Sequence, residues 1–151
     1  KAIETGIKLA KGTLIVTTDA DCLFPVDWLI TIARFYEKNN ATFIAAPVRI
    51  TATSSLLSVF QTLDFLTLQG ITGASVFKRI HSMCNGANLA YEKAAFMEVG
   101  GFKGIDDIPS GDDMLLMHKI AKFFCFFTVL MAINFILFCY SDDCHFCRLL
   151  A

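Results

Sequence analysis

An excess of charge of one sign is missing from this chain of 151 residues: 13 Lys and Arg stand against 14 Asp and Glu, for a net charge of −1. No basic surface therefore argues for nucleic acid as a partner. A secretory leader is missing too. Residue 1 is Lys, and residues 1–10 already read as a helix in progress, with Ile3, Ile7 and Ala10 on one face. A domain seldom begins inside an element, so the natural start is expected upstream. Without a secretory signal, six irregularly spaced Cys argue for a reducing compartment rather than a disulfide framework. Cys144 and Cys147 form a C-x-x-C around His145, but a zinc site takes about four ligands and no second pair lies near. His81 and His118 stand singly, without ligand spacing, and read as surface or core-edge residues. Repeats and low-complexity linkers are also absent.

Glycine and proline vanish after Lys122. All nine Gly and all three Pro precede it, whereas seven of the 15 Phe and four of the six Cys follow it. Up to Lys122, 12 basic residues balance 12 acidic ones, as in a soluble domain. Phe123 to Tyr140 carries no charge, and only Thr128 and Asn134 are clearly polar. Its 18 residues sit at the lower edge for a membrane-spanning helix. Three readings are open. Out-of-frame or end-of-contig translation is favoured by the abruptness of the change; a membrane helix and a buried element are the others. The chain thus divides into a domain over 1–122 and a hydrophobic Phe- and Cys-rich tail over 123–151.

The domain alternates helices and strands, which indicates a layered α/β class. The first helix stops at Gly12. Thr13–Thr18 is β-branched and apolar, and reads as a strand buried on both faces, as in a parallel sheet. Pro25 opens a helix whose apolar face is Trp28, Leu29, Ile32, Ala33 and Tyr36, closed by Asn39-Asn40. Thr42–Ile50 reads as a second strand, in which Pro47 marks an edge or a bulge. Ser54 or Ser55 caps the next helix, whose core stripe is expected to be Leu56, Val59, Phe60, Leu63 and Leu66, ending at Gly70 to Gly73. A loop leads through His81 to a short strand ending near Tyr91. A short helix over Glu92–Val99 stops at Gly100-Gly101, a turn-rich loop covers Ile105 to Gly111, and Asp112–Lys122 is helical with Leu115, Leu116 and Ile120 inward.

Three small polar motifs carry the chemistry. Asp19-Ala-Asp21 stands where the first strand ends. Residues at i and i+2 share one side of a strand, so two carboxylates there can share a divalent cation with substrate phosphates. The bland alternative is a helix cap. Open α/β sheets collect ligands beyond the carboxyl ends of strands, which favours the metal. Ser110-Gly-Asp-Asp113 opens a helix. Its acids either complement the helix dipole or form a paired-carboxylate site with one member as general base. Asn85-Gly-Ala-Asn88 is either a turn held by Asx hydrogen bonds or a loop whose amides bind hydroxyls. Arg49, Lys78 and Arg79 could meet phosphate but read by default as solvated.

In order and spacing, several segments together resemble family 2 glycosyltransferases, which have the GT-A fold. They are Lys11-Gly12, Thr17-Thr-Asp-Ala-Asp-Cys22 with Pro25 and Trp28, Asn85-Gly-Ala-Asn-Leu-Ala-Tyr91, Phe96-Met-Glu-Val-Gly-Gly-Phe102 and Ser110-Gly-Asp-Asp113. The resemblance implies a partial GT-A domain, an α/β/α sandwich, over residues 1–122. It implies an inverting transfer of a sugar from a nucleotide-diphosphate-sugar to an acceptor hydroxyl, in cell-surface polysaccharide or glycolipid synthesis. Asp21 would hold Mg²⁺ or Mn²⁺ with Asp19, which lies closer to the nucleotide ribose. Asp113 would be the general base and Asp112 its support. Asn85, Gly86 and Asn88 would border the donor sugar or acceptor. The implied partners are that donor and a sugar or lipid-linked acceptor, at the cytoplasmic face of a membrane. Family members carry a first strand and a base-binding acid upstream of the D-x-D that this chain lacks, and no Q-x-x-R-W occurs, so the stretch is expected to be inactive alone. A different class is also open: a non-catalytic, membrane-associated α/β binding module. A nucleotidyltransferase shares the D-x-D logic but not the Asn85–Tyr91 and Ser110–Asp113 segments.

Overall fold

A computed structural model describes residues 2–50, 55–78, 80, 83–105, 111–124, 127–129 and 137–139. Its elements run α1 (Ala2–Leu9), β1 (Leu14–Thr17), β2 (Cys22–Leu23), α2 (Trp28–Asn39), β3 (Phe43–Ala45), β4 (Val48–Ile50) and α3 (Leu56–Phe77). A 3-10 turn (Gly86–Asn88) leads into β5 (Leu89–Glu92), α4 (Lys93–Glu98), α5 (Asp112–Phe123), β6 (Phe127–Val129) and β7 (Leu137–Cys139). The larger sheet has the order β1-β5-β3-β6 and the smaller β2-β7-β4.

Alternation along β3 and β5 sorts the core into two layers. Ile44 and Ala90 point to the face packed by Trp28 and Ile32 of α2. Phe43, Ala45, Leu89 and Tyr91 point to the other face, against Ile7 of α1, Phe96 of α4 and Leu116, Met117 and Ile120 of α5. Helices thus cover both faces of the sheet, the three-layer α/β/α arrangement expected of a partial GT-A domain. On the second face the rings of Phe43, Tyr91 and Phe96 stack in file at 5.9 and 5.8 Å, and Phe102 meets Phe96 edge-on at 5.3 Å. Gly101 closes the file. Its φ of +54° suits glycine, and a Cβ there would lie 2.8 Å from the Phe96 ring. Lys119 of α5 fastens the same turn, donating to the carbonyls of Gly101 (2.6 Å) and Lys103 (3.0 Å).

Four expectations change. The first strand is not a doubly buried member of a parallel sheet: β1 pairs antiparallel with β5 and ends the sheet order, and only Ile15 of it is buried. The second strand is two. At Ala46-Pro47 the chain leaves one sheet for the other, because Pro47 has no N–H to continue a ladder. Helix α3 runs past Gly70 to Phe77, with Ser55 Oγ accepting from Ser58 N at 3.1 Å as its cap. Its expected core stripe also faces outward: Leu56, Val59, Phe60, Leu63 and Leu66 are between 43% and 88% exposed, while Ser58, Phe65, Thr72 and Val76 are buried. Hydroxyl chemistry permits this. Buried Thr72 donates to the carbonyl of Leu68 (3.0 Å) and half-buried Thr62 to that of Ser58 (2.8 Å), each one turn back, so neither hydroxyl goes without a partner.

Helix α2 starts at Trp28 rather than at Pro25, and Leu29, expected on its apolar face, is exposed. Several stops agree with the reading from sequence. Asn40 closes α2 in the left-handed region at φ 48°. Gly100 and Gly101, both at positive φ, stop α4. In the tail, β6 pairs parallel with β3, and β7 pairs with β2 and β4. Helix α5 runs on to Phe123, with Phe124 as its cap. Residues 125, 126, 130–136 and 140 of the expected 123–140 span, and Cys144, His145 and Cys147, lie outside the described residues.

Candidate active site

The site begins where β1 stops. Cys22 N donates to Asp19 O at 3.3 Å, closing a tight turn through Ala20 and Asp21. Asp19 and Asp21 therefore stand on a turn, where strand alternation does not apply. Their side chains diverge: Asp19 lines a cleft of about 590 Å³, while Asp21 Oδ1 accepts from Cys22 Sγ at 3.9 Å. Thr17, Gly86, Asp112 and Asp113 line the same cleft at its acidic end, and α1 with β1 forms its apolar flank.

Asp112 and Asp113 reach the cleft from the first turn of α5, where acids complement the helix dipole. Gly111 precedes them at φ +86°, a conformation that bends the chain into the helix and that glycine adopts without strain. Asp113 lies against Gly86. A Cβ on Gly86 would overlap the Asp113 carboxylate, coming within 2.6 Å of its Cγ. Burial, then the charge of Asp112, then that of Asp19 raise the Asp113 carboxyl from 3.8 to about 6. The two acidic clusters are thus electrostatically in contact. Burial pushes the Cys84 thiol up to about 12, and the charges of Asp113 and Asp112 add to the shift. Tyr91 is raised by the same three causes in the same order.

The Asn85–Asn88 loop reaches the cleft only through Gly86, and its amides are used behind it. Asn85 Oδ1 accepts from Ala87 N at 2.9 Å, the Asx turn that was one of its two sequence readings. Asn88 is wholly buried. Its Oδ1 accepts from Trp28 Nε1 at 3.0 Å and its Nδ2 donates to Pro47 O at 2.9 Å, while Ala46 N donates to its carbonyl at 2.9 Å. Thr17 Oγ1 donates to Gly86 O at 3.3 Å, tying β1 to the loop.

Of the sequence candidates, Asp19, Gly86, Asp112 and Asp113 come together. Asp21 is turned to Cys22. Asn85 caps the 3-10 turn, and Asn88 is spent on the Trp28 indole and the Ala46-Pro47 backbone. Thr17, Cys84 and Tyr91 were not singled out for this site. Thr17 and Tyr91 sit inside the motifs quoted above, but their contacts depend on a strand pairing that sequence does not specify. His118 lies half-buried on α5, outside the cleft, with Nε2 unpaired among the described residues. Arg79, His81 and Ser110 lie outside the described residues. Among the described residues no three His, Cys, Asp or Glu side chains gather as a metal cluster. The donor set is carboxylate oxygen alone, which suits Mg²⁺ or Mn²⁺ completed by phosphate and water.

The model of the family described as glycosyl transferase family 2 matches residues 1–100. The chain belongs to that family. The fold agrees: the crystal structure of S. aureus TarS 1-349 superposes with a TM-score of 0.63 at 15% identity, covering 91% of this chain. This chain spans 38% of the TarS chain's length. No curated protein matches it.

Proposed function

We propose that the cleft carries the acceptor and diphosphate end of an inverting glycosyltransferase that uses a nucleotide-diphosphate-sugar donor. One observation supports this above the rest: Asp113, half-buried beside Gly86, has a carboxyl raised to about 6 by burial and by Asp112 and Asp19. At neutral pH it is mostly ionised, yet basic enough to take a proton. The acceptor hydroxyl gives its proton to Asp113 as its oxygen bonds to the anomeric carbon. The bond from that carbon to the diphosphate oxygen breaks, the electron pair leaves with the diphosphate, and the configuration inverts. Asp112 keeps Asp113 basic by its charge. Asp19, with Asp21 after rotation of its side chain away from Cys22, would hold Mg²⁺ or Mn²⁺, and the bound cation would supply positive charge to the departing diphosphate. A sugar or lipid-linked acceptor, a role in cell-surface polysaccharide or glycolipid synthesis, and a location at the cytoplasmic face of the membrane belong to the same proposal.

The test is transfer by the intact protein from a manganese-loaded nucleotide-diphosphate-sugar. Asp113→Asn is expected to lower kcat by about 10²–10⁴-fold with donor binding kept. Near-normal transfer by that variant would remove the base, and donor binding indifferent to manganese would remove the cation.

A further inference from the structure

Thr17 is the last residue of β1 and lines the cleft together with Asp19, Asp112 and Asp113. Antiparallel pairing sets it opposite Leu89, the first residue of β5, so it stands beside the 3-10 turn that leads into that strand. Strand alternation gives it the side of Ile15, the sheet face that α5 packs. From there its Oγ1 donates to Gly86 O at 3.3 Å. The same glycine meets the base. A Cβ on Gly86 would come 2.6 Å from Cγ and 3.0 Å from Oδ1 of Asp113. Gly86 is thus held by a hydroxyl from β1 and in turn seats a carboxylate from α5. Two residues beyond Thr17 stands Asp19, so one short stretch of chain meets both acidic clusters.

Strand propensity asks only for a β-branched residue at position 17, and valine would serve it equally well. The hydroxyl is what valine would lack. Its value lies in distance, because a reacting group displaced by about 1 Å can lose about 10²-fold in rate. We propose that Thr17 is a positioning residue: by holding the Gly86 carbonyl it fixes the backbone on which the Asp113 carboxylate rests, and so sets the base in register with the Asp19 end of the cleft. This role rests on Asp113 being the base. Thr17 acts through Gly86 and not on the donor, so donor binding does not depend on its hydroxyl.

Steady-state transfer by the intact protein, with the UDP-sugar or GDP-sugar that the parent turns over, compares two variants. Thr17→Val is expected to lower kcat by about tenfold or more with the donor KM unchanged. Thr17→Ser keeps the hydroxyl and should stay within about threefold of the parent. In an Asp113→Asn background Thr17→Val should cost nothing further, because no base is left to place. Crystal structures of the two variants give a reading without turnover. The Asp113 carboxylate should leave its seat on Gly86 by about 0.5 Å or more in Thr17→Val and keep it in Thr17→Ser. A fully active Thr17→Val beside an inactive Asp113→Asn would overturn the positioning role and leave the base standing. So would an unmoved carboxylate, a loss that persists in full in the Asp113→Asn background, or a raised KM with kcat kept, which would make Thr17 a substrate contact. Near-normal transfer by Asp113→Asn alone would remove the base and this role with it.

Discussion

The Asn85–Asn88 loop and the acidic cluster beside it differ in what their polar groups do. In the loop, each amide contact described closes a hydrogen bond within the protein: Asn85 to Ala87, and Asn88 to Trp28 and Pro47. In the acidic cluster, burial and the like charges of Asp112 and Asp19 raise Asp113 to about 6. The loop adds to stability and the cluster subtracts from it. Groups that keep chemistry available are held in an unfavourable arrangement by groups that have none left to offer.

Substitutions in the loop should therefore fail differently according to whether they meet the acidic cluster or the loop's own hydrogen bonds. The largest effect is expected from Gly86→Ala, whose methyl group would occupy the space of the Asp113 carboxylate. Transfer should fall by about 10²–10⁴-fold in steady-state kinetics of the intact protein, because the base is displaced. A loss under about threefold would mean that the carboxylate has room to move aside. Asn88→Ala should act through the fold. Trp28 Nε1 and Pro47 O lose their partner in a buried place, at a cost of about 2–4 kcal/mol in denaturant unfolding. Activity per folded molecule should hold better than stability; the reverse result would make Asn88 a ligand residue after all.

The smallest effect is the pH response of Asp113, and its sign is specific. A folded-state carboxyl raised from 3.8 to about 6 stabilises the fold below the unfolded value and loses that contribution as pH rises through the folded one. Asp113→Asn should thus be more stable than the parent at about pH 8, by on the order of 2 kcal/mol, and nearly equal below about pH 4. Transfer by the parent should fall as pH drops below about 6, when the base is protonated. Parallel unfolding curves and a pH–rate profile check both. A stability difference that does not change with pH would separate Asp113 from the crowding described here.

Legibility followed locality. Helix stops at Asn40 and Gly100-Gly101, the α5 start at Asp112 and the Asx turn at Asn85 are fixed by neighbours a few residues away, and the sequence pattern locates them. The α3 stripe was legible as a stripe but not in direction: periodicity reveals two unlike faces, and only β4 and its neighbours decide which one turns inward. The nearness of Asp19 and Asp113 follows from the family resemblance rather than from spacing. The contacts of Asn88 and Asp21 escaped, since one depends on an indole contributed sixty residues earlier and the other on a turn that closes just after the strand.

The ring file on the α5 side of the sheet ends at a residue with no side chain. Phe43, Tyr91 and Phe96 stack in series, Phe96 rests on bare Gly101, and the Tyr91 hydroxyl feels the charges of Asp113 and Asp112. Rings are incompressible spacers. A methyl group at Gly101 would push on Phe96 and, through it, on Tyr91, so the seat of a whole row of rings is set by a hydrogen atom.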